Sequence, residues 1–194
     1  MPTDRLVRFI DKLSRVMNDA PTEQKIVKET EHLMSDLVKV DDWLPDRYAI
    51  AHPDFYQQYL LYCDGQKRFS IVSFVWGPGQ KTPVHDHTVW GVIGMLRGQE
   101  ISQRYDYGAN GEFVAGQRDT LFAGDVDSVS PTIGDIHEVS NGLSDQVSIS
   151  IHVYGANIGE VNRNVFTLRT GEKKPFISGY ANSELPNIWQ KAKD

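Results

Sequence analysis

From residue 69 onward the chain is written in short β-rich runs: FSIVSFVW, VWGVIGML, EISQRYDY, DTLFAGDVDSVS, IHEVSN and QVSISIHVYG. Between them lie GPG, YGANG, TIGD and SNGLSD, which are turn segments. Residues at i and i+2 of a strand share a face, so short strands joined by tight turns restrict this region to an antiparallel sandwich or barrel. The period in front is different. Leu6, Phe9, Ile10, Leu13, Val16 and Met17 recur at three- and four-residue steps and predict an amphipathic helix over roughly residues 4–17. NDAPT interrupts it, and Thr22 or the loop before it opens a second helix whose buried side is Ile26, Thr30, Leu33, Met34, Leu37 and Val38. A third, short helical piece is expected over DFYQQYLLY, where Phe55, Tyr59 and Tyr62 fall on one side. The expected organisation is a single domain over 1–194. Residues 1–65 form a helical part packed on a barrel, 66–170 the barrel, and 171–194 a C-terminal tail.

The length suits one domain with a sizeable core. The formal net charge of −6 argues against nucleic acid or an anionic membrane as partner, because no basic surplus is available to neutralise phosphates. One cysteine, Cys63, excludes an internal disulfide and Cys-based zinc patterns, and reads as a partly buried structural thiol. MPTDRLVRFIDKL lacks the uninterrupted apolar stretch of a signal peptide, so the expected location is the reducing cytoplasm.

PVHDHTVWG places His85 and His87 on one face of a strand with Asp86 on the other. Two imidazoles can fill adjacent corners of a coordination sphere, but a metal site needs a further ligand. On the pair alone, a solvated edge strand and half of a metal site stand level. Gly79 lies six residues before His85, and Gly98 closes the next strand. Downstream come Gly124, Pro131, Gly134, His137 and Asn141. These two segments resemble the two cupin motifs, with one extra residue between Gly124 and Pro131. The resemblance implies a mainly β cupin barrel (double-stranded β-helix, or jelly roll) with N-terminal α-helices. It also implies that His85, His87 and His137 converge on one metal. Most cupins add a glutamate three or four residues after the second histidine; here those positions are Gly91 and Val92. Three neutral imidazoles leave a divalent metal its full charge and an open face suited to an anion such as a thiolate, with zinc, nickel or iron all admissible.

VSISIHVYG sets Ser150, His152 and Tyr154 on one face and Ile149, Ile151 and Val153 on the other. The polar face is either a solvent side or a hydrogen-bonded chain. Beside the three-histidine pattern, from about Tyr56 to Arg163, the sequence is similar to the thiol dioxygenases of the cysteine dioxygenase superfamily. The resemblance implies non-haem Fe(II) at His85, His87 and His137, a small thiol binding as thiolate, and O2 oxidising sulfur to the sulfinic acid. It further implies that Ser150, His152 and Tyr154 form a triad around the metal site, with the Tyr154 hydroxyl near oxygen or the substrate carboxylate.

Animal cysteine dioxygenases carry an arginine at the position of Gln58 and a cysteine near Gly91 and Val92 that cross-links to the tyrosine matching Tyr154. Both are absent, so no Cys–Tyr cofactor is expected. The departures resemble the bacterial branch that includes 3-mercaptopropionate dioxygenase, which implies Arg163, with Gln58 and Tyr154, at the substrate carboxylate. A surface arginine on a loop is the other reading of Arg163. The preferred substrate on this reading is 3-mercaptopropionate, with cysteine and cysteamine as lesser ones. A different metal-dependent cupin enzyme and a non-catalytic small-molecule-binding cupin are the alternatives. Trp76 and Trp90 read as packing, His32 as a solvated helix residue, His52 as a loop residue, and Arg97 and Arg104 as surface residues. The N-terminal helices are expected to cover one end of the barrel.

Overall fold

The computed structural model describes residues 4–19, 22–108 and 112–184. Helices α1 (Asp4–Asn18) and α2 (Glu23–Val38) come first. Eleven strands follow: β1 (Gln57–Cys63), β2 (Ser70–Trp76), β3 (Val84–His85), β4 (Gly91–Arg97), β5 (Gln99–Tyr107), β6 (Phe113–Phe122), β7 (Val126–Val129), β8 (His137–Asn141), β9 (Ser148–Tyr154), β10 (Arg163–Thr167) and β11 (Glu172–Phe176). They form two antiparallel sheets, ordered β1-β2-β9-β4-β7 and β11-β10-β3-β8-β5-β6, in the jelly-roll arrangement of a cupin barrel.

Alternation sorts the first sheet into an outer and an inner layer. Ile71 and Val75 of β2, Val92 and Leu96 of β4, and Ile149, Ile151 and Val153 of β9 join one core with Leu6, Phe9, Leu13, Met34 and Leu37 of the helices. The helices therefore cover the outer face of this sheet rather than one end of the barrel. Gly94 permits that approach, because a Cβ there would lie 2.5 Å from Met34 Cγ. Val72, Phe74 and Trp76 of β2 and Tyr154 of β9 face the other way, into the barrel, in a second cluster with Val139.

DFYQQYLLY is not a helix. Its last residues open β1, where Gln57 to Cys63 pair with β2. Phe55, Tyr59 and Tyr62 imitated a helical face, but Phe55 is exposed and stacks on His52, while a bulge between Leu60 and Tyr62 lets Tyr59 and Tyr62 pack against the same outer core. Tyr56 instead stacks on Phe74 and Trp76. The sheet thus begins ahead of the expected barrel start at residue 66. The segment after 170 supplies β11, which pairs along β10. Asn141 shows what the second glycine-rich motif holds in place: its amide donates to the carbonyls of Trp76, Gly77 and Gln146, and its oxygen accepts from Leu143 N and Ser148 Oγ. Gly79, Gly98, Gly124 and Gly134 all have positive φ, the conformation that favours glycine at turns.

Candidate metal centre

In the second sheet, antiparallel register sets His85 directly opposite His137. The strand ends at His85, so His87 does not share it as the sequence reading expected. Instead the Asp135 carboxylate holds His87: it accepts from His87 N at 3.0 Å, from Thr88 N at 2.8 Å and from His87 Nδ1 at 2.9 Å. Thr88 takes a positive φ of 60° at this turn. Asp86 points away and accepts from Asn164 N and Nδ2, both at 2.7 Å. His85, His87 and His137 are all buried, and one nitrogen from each lies within 4.8 Å of the others.

The Nδ1 atoms identify which nitrogens converge as free donors. His85 Nδ1 lies 3.0 Å from Pro83 O, His87 Nδ1 2.9 Å from Asp135 Oδ1, and His137 Nδ1 3.1 Å from Ser102 Oγ. A carbonyl and a carboxylate can only accept, so His85 and His87 carry hydrogen on Nδ1, which leaves Nε2 as the nitrogen available to a metal. Burial, then the neighbouring His87, pushes His85 down to about 3, and burial holds His137 well below the ordinary histidine range. The set therefore turns three buried imidazoles toward one point, a donor arrangement that fits a divalent transition metal.

Across the barrel, every residue of β9 is buried, which removes the solvent-side alternative for its polar face. Ser150 Oγ lies 2.8 Å from His152 Nε2, and His152 Nδ1 lies 2.9 Å from the Tyr154 hydroxyl. The Tyr154 ring stacks on His87, centroids 5.3 Å apart. Tyr154 also sits opposite Gly91 of β4, and a Cβ at Gly91 would come within 3.0 Å of the tyrosine ring. Residue 91, where a cupin carboxylate was sought, is thus where the backbone makes room for Tyr154.

Arg163 is not a loop residue on the surface. It begins β10, is 3% exposed, donates from Nη2 to Ser178 Oγ at 2.6 Å, and sets its guanidinium 4.7 Å from the Phe176 ring centroid. Its Nε is the one buried side-chain polar atom among the described residues with no hydrogen-bond partner in the protein. Burial pulls its pKa down, and Tyr154, Tyr56 and Asp86 are close enough to oppose that. Gln58 is buried nearby, but both its amide hydrogens are spent, on Ser178 Oγ at 3.2 Å and Gly179 O at 3.0 Å. It meets Arg163 through Ser178 and has no donor left for a substrate carboxylate.

The sequence profile of the family described as "Cysteine dioxygenase type I" matches residues 5–165 of the 194. The chain belongs to the cysteine dioxygenase type I family. Among solved structures it is similar to a Thermus thermophilus protein at 19% identity, over 57% of this chain and 92% of that one, with a TM-score of 0.45. A Klebsiella pneumoniae protein with a double-stranded β-helix domain is 19% identical over 61% of this chain and 88% of its own, TM-score 0.45. A cupin superfamily protein from Desulfitobacterium hafniense is 15% identical over 56% and 84% of the two chains, TM-score 0.43.

Three supporting residues of this dioxygenase-family chain escaped the sequence reading. Ser102 and Asp135 hold two of the histidines. Asp135 lies two residues before His137, yet nothing in GDIH says that its carboxylate turns back to a residue 48 positions earlier. Glu100 is 2% exposed and accepts from Ser150 Oγ at 2.7 Å. Alternation in EISQRYDY does put Glu100 on the face of Ser102, which was the available signal. Arg104 also differs from its surface reading: it is half-buried and pairs with Asp127 at 2.8 Å. His32 is exposed and His52 stacks on Phe55.

Removing a residue that orients a ligating histidine ordinarily costs about 10- to 100-fold in metal affinity. Asp135→Asn is expected to lose that much, because the amide brings hydrogens against three donors that now share one carboxylate. Chelator competition reads it, and an unchanged affinity would remove Asp135 from the support of the site.

Proposed function

We propose that this protein is a non-haem Fe(II) thiol dioxygenase that converts a small thiol carboxylate, with 3-mercaptopropionate preferred over cysteine and cysteamine, to its sulfinic acid. The balance is R–SH + O2 → R–SO2H, with both oxygen atoms retained and no further reductant. The observation that carries this reading is the meeting of His85, His87 and His137 with the Ser150–His152–Tyr154 chain inside a cysteine dioxygenase family barrel. In the proposal the three histidines hold the metal, and bound iron would supply the redox chemistry joining dioxygen to sulfur.

The remaining work falls to this chain's own groups. Arg163 takes the substrate carboxylate, since its Nε is buried and unpartnered while its plane is fixed by Ser178 and Phe176. Tyr154, close enough to Arg163 to interact with it electrostatically, supplies a hydroxyl beside the same carboxylate. Gln58 buttresses Arg163 through Ser178. Preference for a substrate without an amino group is supported by Gln58, which stands where animal cysteine dioxygenases carry an arginine, as in the bacterial branch that includes 3-mercaptopropionate dioxygenase.

The test is oxygen uptake by anaerobically Fe(II)-loaded protein given 3-mercaptopropionate, cysteine or cysteamine in turn, with the sulfinate identified. One sulfinate per O2, fastest with 3-mercaptopropionate, is expected. Bound iron without uptake for any thiol would overturn the reading.

A further inference from the structure

The Ser150 hydroxyl has one hydrogen and two lone pairs. It also has three polar neighbours: Trp76 Nε1 at 3.0 Å, Glu100 Oε2 at 2.7 Å and His152 Nε2 at 2.8 Å. An indole N–H can only donate, so Trp76 takes one lone pair. One lone pair and one hydrogen then remain for Glu100 and His152. One of the two must donate to Ser150, and the other must accept from it.

Glu100 decides which. A carboxylate can only accept, so with Glu100 ionised Ser150 donates to it, and His152 donates from Nε2 to Ser150. His152 is held neutral by burial and has a single ring hydrogen, so its Nδ1 must then accept from the Tyr154 hydroxyl. The tyrosine hydrogen is committed to His152, and its oxygen offers only lone pairs to anything else. With Glu100 protonated, every bond reverses. Glu100 donates to Ser150, Ser150 donates to His152 Nε2, and His152 Nδ1–H donates to the Tyr154 oxygen. The tyrosine hydrogen is released to donate to a ligand. The two arrangements differ by one proton, taken up at Glu100, and no other member of the chain changes charge.

We propose that Glu100 is a positioning residue whose protonation sets the direction of the Glu100–Ser150–His152–Tyr154 hydrogen-bond chain, and so whether Tyr154 donates to a bound thiol carboxylate or opposes it. The effect on substrate rests on the function proposed above, whereas the direction of the chain does not. The surroundings of Glu100 favour a change near neutrality. Burial first, and the Asp127 charge in addition, raise its carboxyl to about 7, against the Ser150 hydrogen bond and the nearby indole N–H of Trp76, which lower it. Asp127 is itself paired with Arg104, and His152 Nε2 lies 3.9 Å from Glu100 Oε2. Below that pH Glu100 holds its proton and Tyr154 donates. Above it Glu100 is ionised, Tyr154 presents lone pairs to an anion, and carboxylate binding weakens.

Infrared titration of the purified protein without substrate tests the chain directly. A carboxylic-acid carbonyl band should vanish through about pH 7, and a tyrosine ring mode, assigned by its absence in Tyr154→Phe, should shift in the same titration. Glu100→Gln should abolish both changes. Ser150→Ala cuts the chain between its ends, so the carboxyl band should still titrate while the tyrosine mode stays still. In kinetics, KM for 3-mercaptopropionate should rise up to about tenfold per pH unit above the midpoint, as one-proton linkage requires, with kcat less affected, and Glu100→Gln should flatten the rise. A tyrosine mode that ignores pH in the wild type, or still follows pH in Glu100→Gln or Ser150→Ala, overturns the proposal. Coupled infrared bands in a protein that oxidises no thiol would leave the role of Glu100 standing and remove the function.

Discussion

His87→Ala is expected to lose bound metal and thiol oxidation together. Its loss should exceed the roughly 10- to 100-fold that follows from weakening a supporting contact, because two imidazoles cannot close the site that three converge on. The substitution also strips Asp135 of its Nδ1 partner and Tyr154 of a stacked ring. A buried acceptor left short of a donor costs about 1–3 kcal/mol. The barrel should survive that cost, since the cores on both faces of the first sheet are untouched. Metal content after dialysis, with oxygen uptake on the same sample and circular dichroism to confirm the fold, reads the result. A folded variant that keeps stoichiometric metal and full uptake would sink the three-histidine assignment.

Arg163→Met should separate substrates by their charge. Truncating one side of a buried, charge-assisted contact costs about 2–4 kcal/mol, roughly 30- to 1,000-fold in binding. KM for 3-mercaptopropionate and cysteine should rise by that factor. Cysteamine has no carboxylate to lose, and its KM should hardly move. Methionine keeps the apolar contact over Phe176, so the packing of β10 on β11 is retained. Equal losses with all three thiols would mean that Arg163 shapes the barrel rather than reads the carboxylate.

The residues that meet here were legible in the sequence to the extent that their chemistry was repeated at short spacing. His85 and His87 stand two apart, His137 stands in a glycine-spaced segment, and Ser150, His152 and Tyr154 alternate along seven residues. Which way the alternating face of β9 points was not legible, because it depends on the helices claiming Ile149, Ile151 and Val153 for the outer core. Glu100 was hidden for a similar reason. It meets Ser150 across 50 residues of chain, through a contact between the two sheets, and a lone glutamate in a polar strand looks solvated until that contact exists. DFYQQYLLY misled because a bulge between Leu60 and Tyr62 brings Tyr59 and Tyr62 to one face of a strand at the three-residue spacing of a helix, while Phe55 lies ahead of the strand against His52. Gln58 was placed at the substrate by resemblance. The local residues that occupy its amide, Ser178 and Gly179, come from a tail whose course the sequence did not reveal.

That tail carries a consequence for how the molecule is assembled. Gln58 reaches Ser178 across 120 residues, Leu60 exchanges hydrogen bonds with Asn182 across 122, and Ala181 N donates to Gln58 O at 2.8 Å, together the longest-range hydrogen bonds among the described residues. Contacts of such separation carry the largest loop-closure entropy in the chain and cannot form while the polypeptide is still being extended through them. During synthesis the histidines and the β9 relay are available before the strap that seats Arg163. The metal ligands and the β9 relay are encoded in the middle of the chain, but the group proposed to select the substrate is set in place only when β1 and the segment after β11 are tied together.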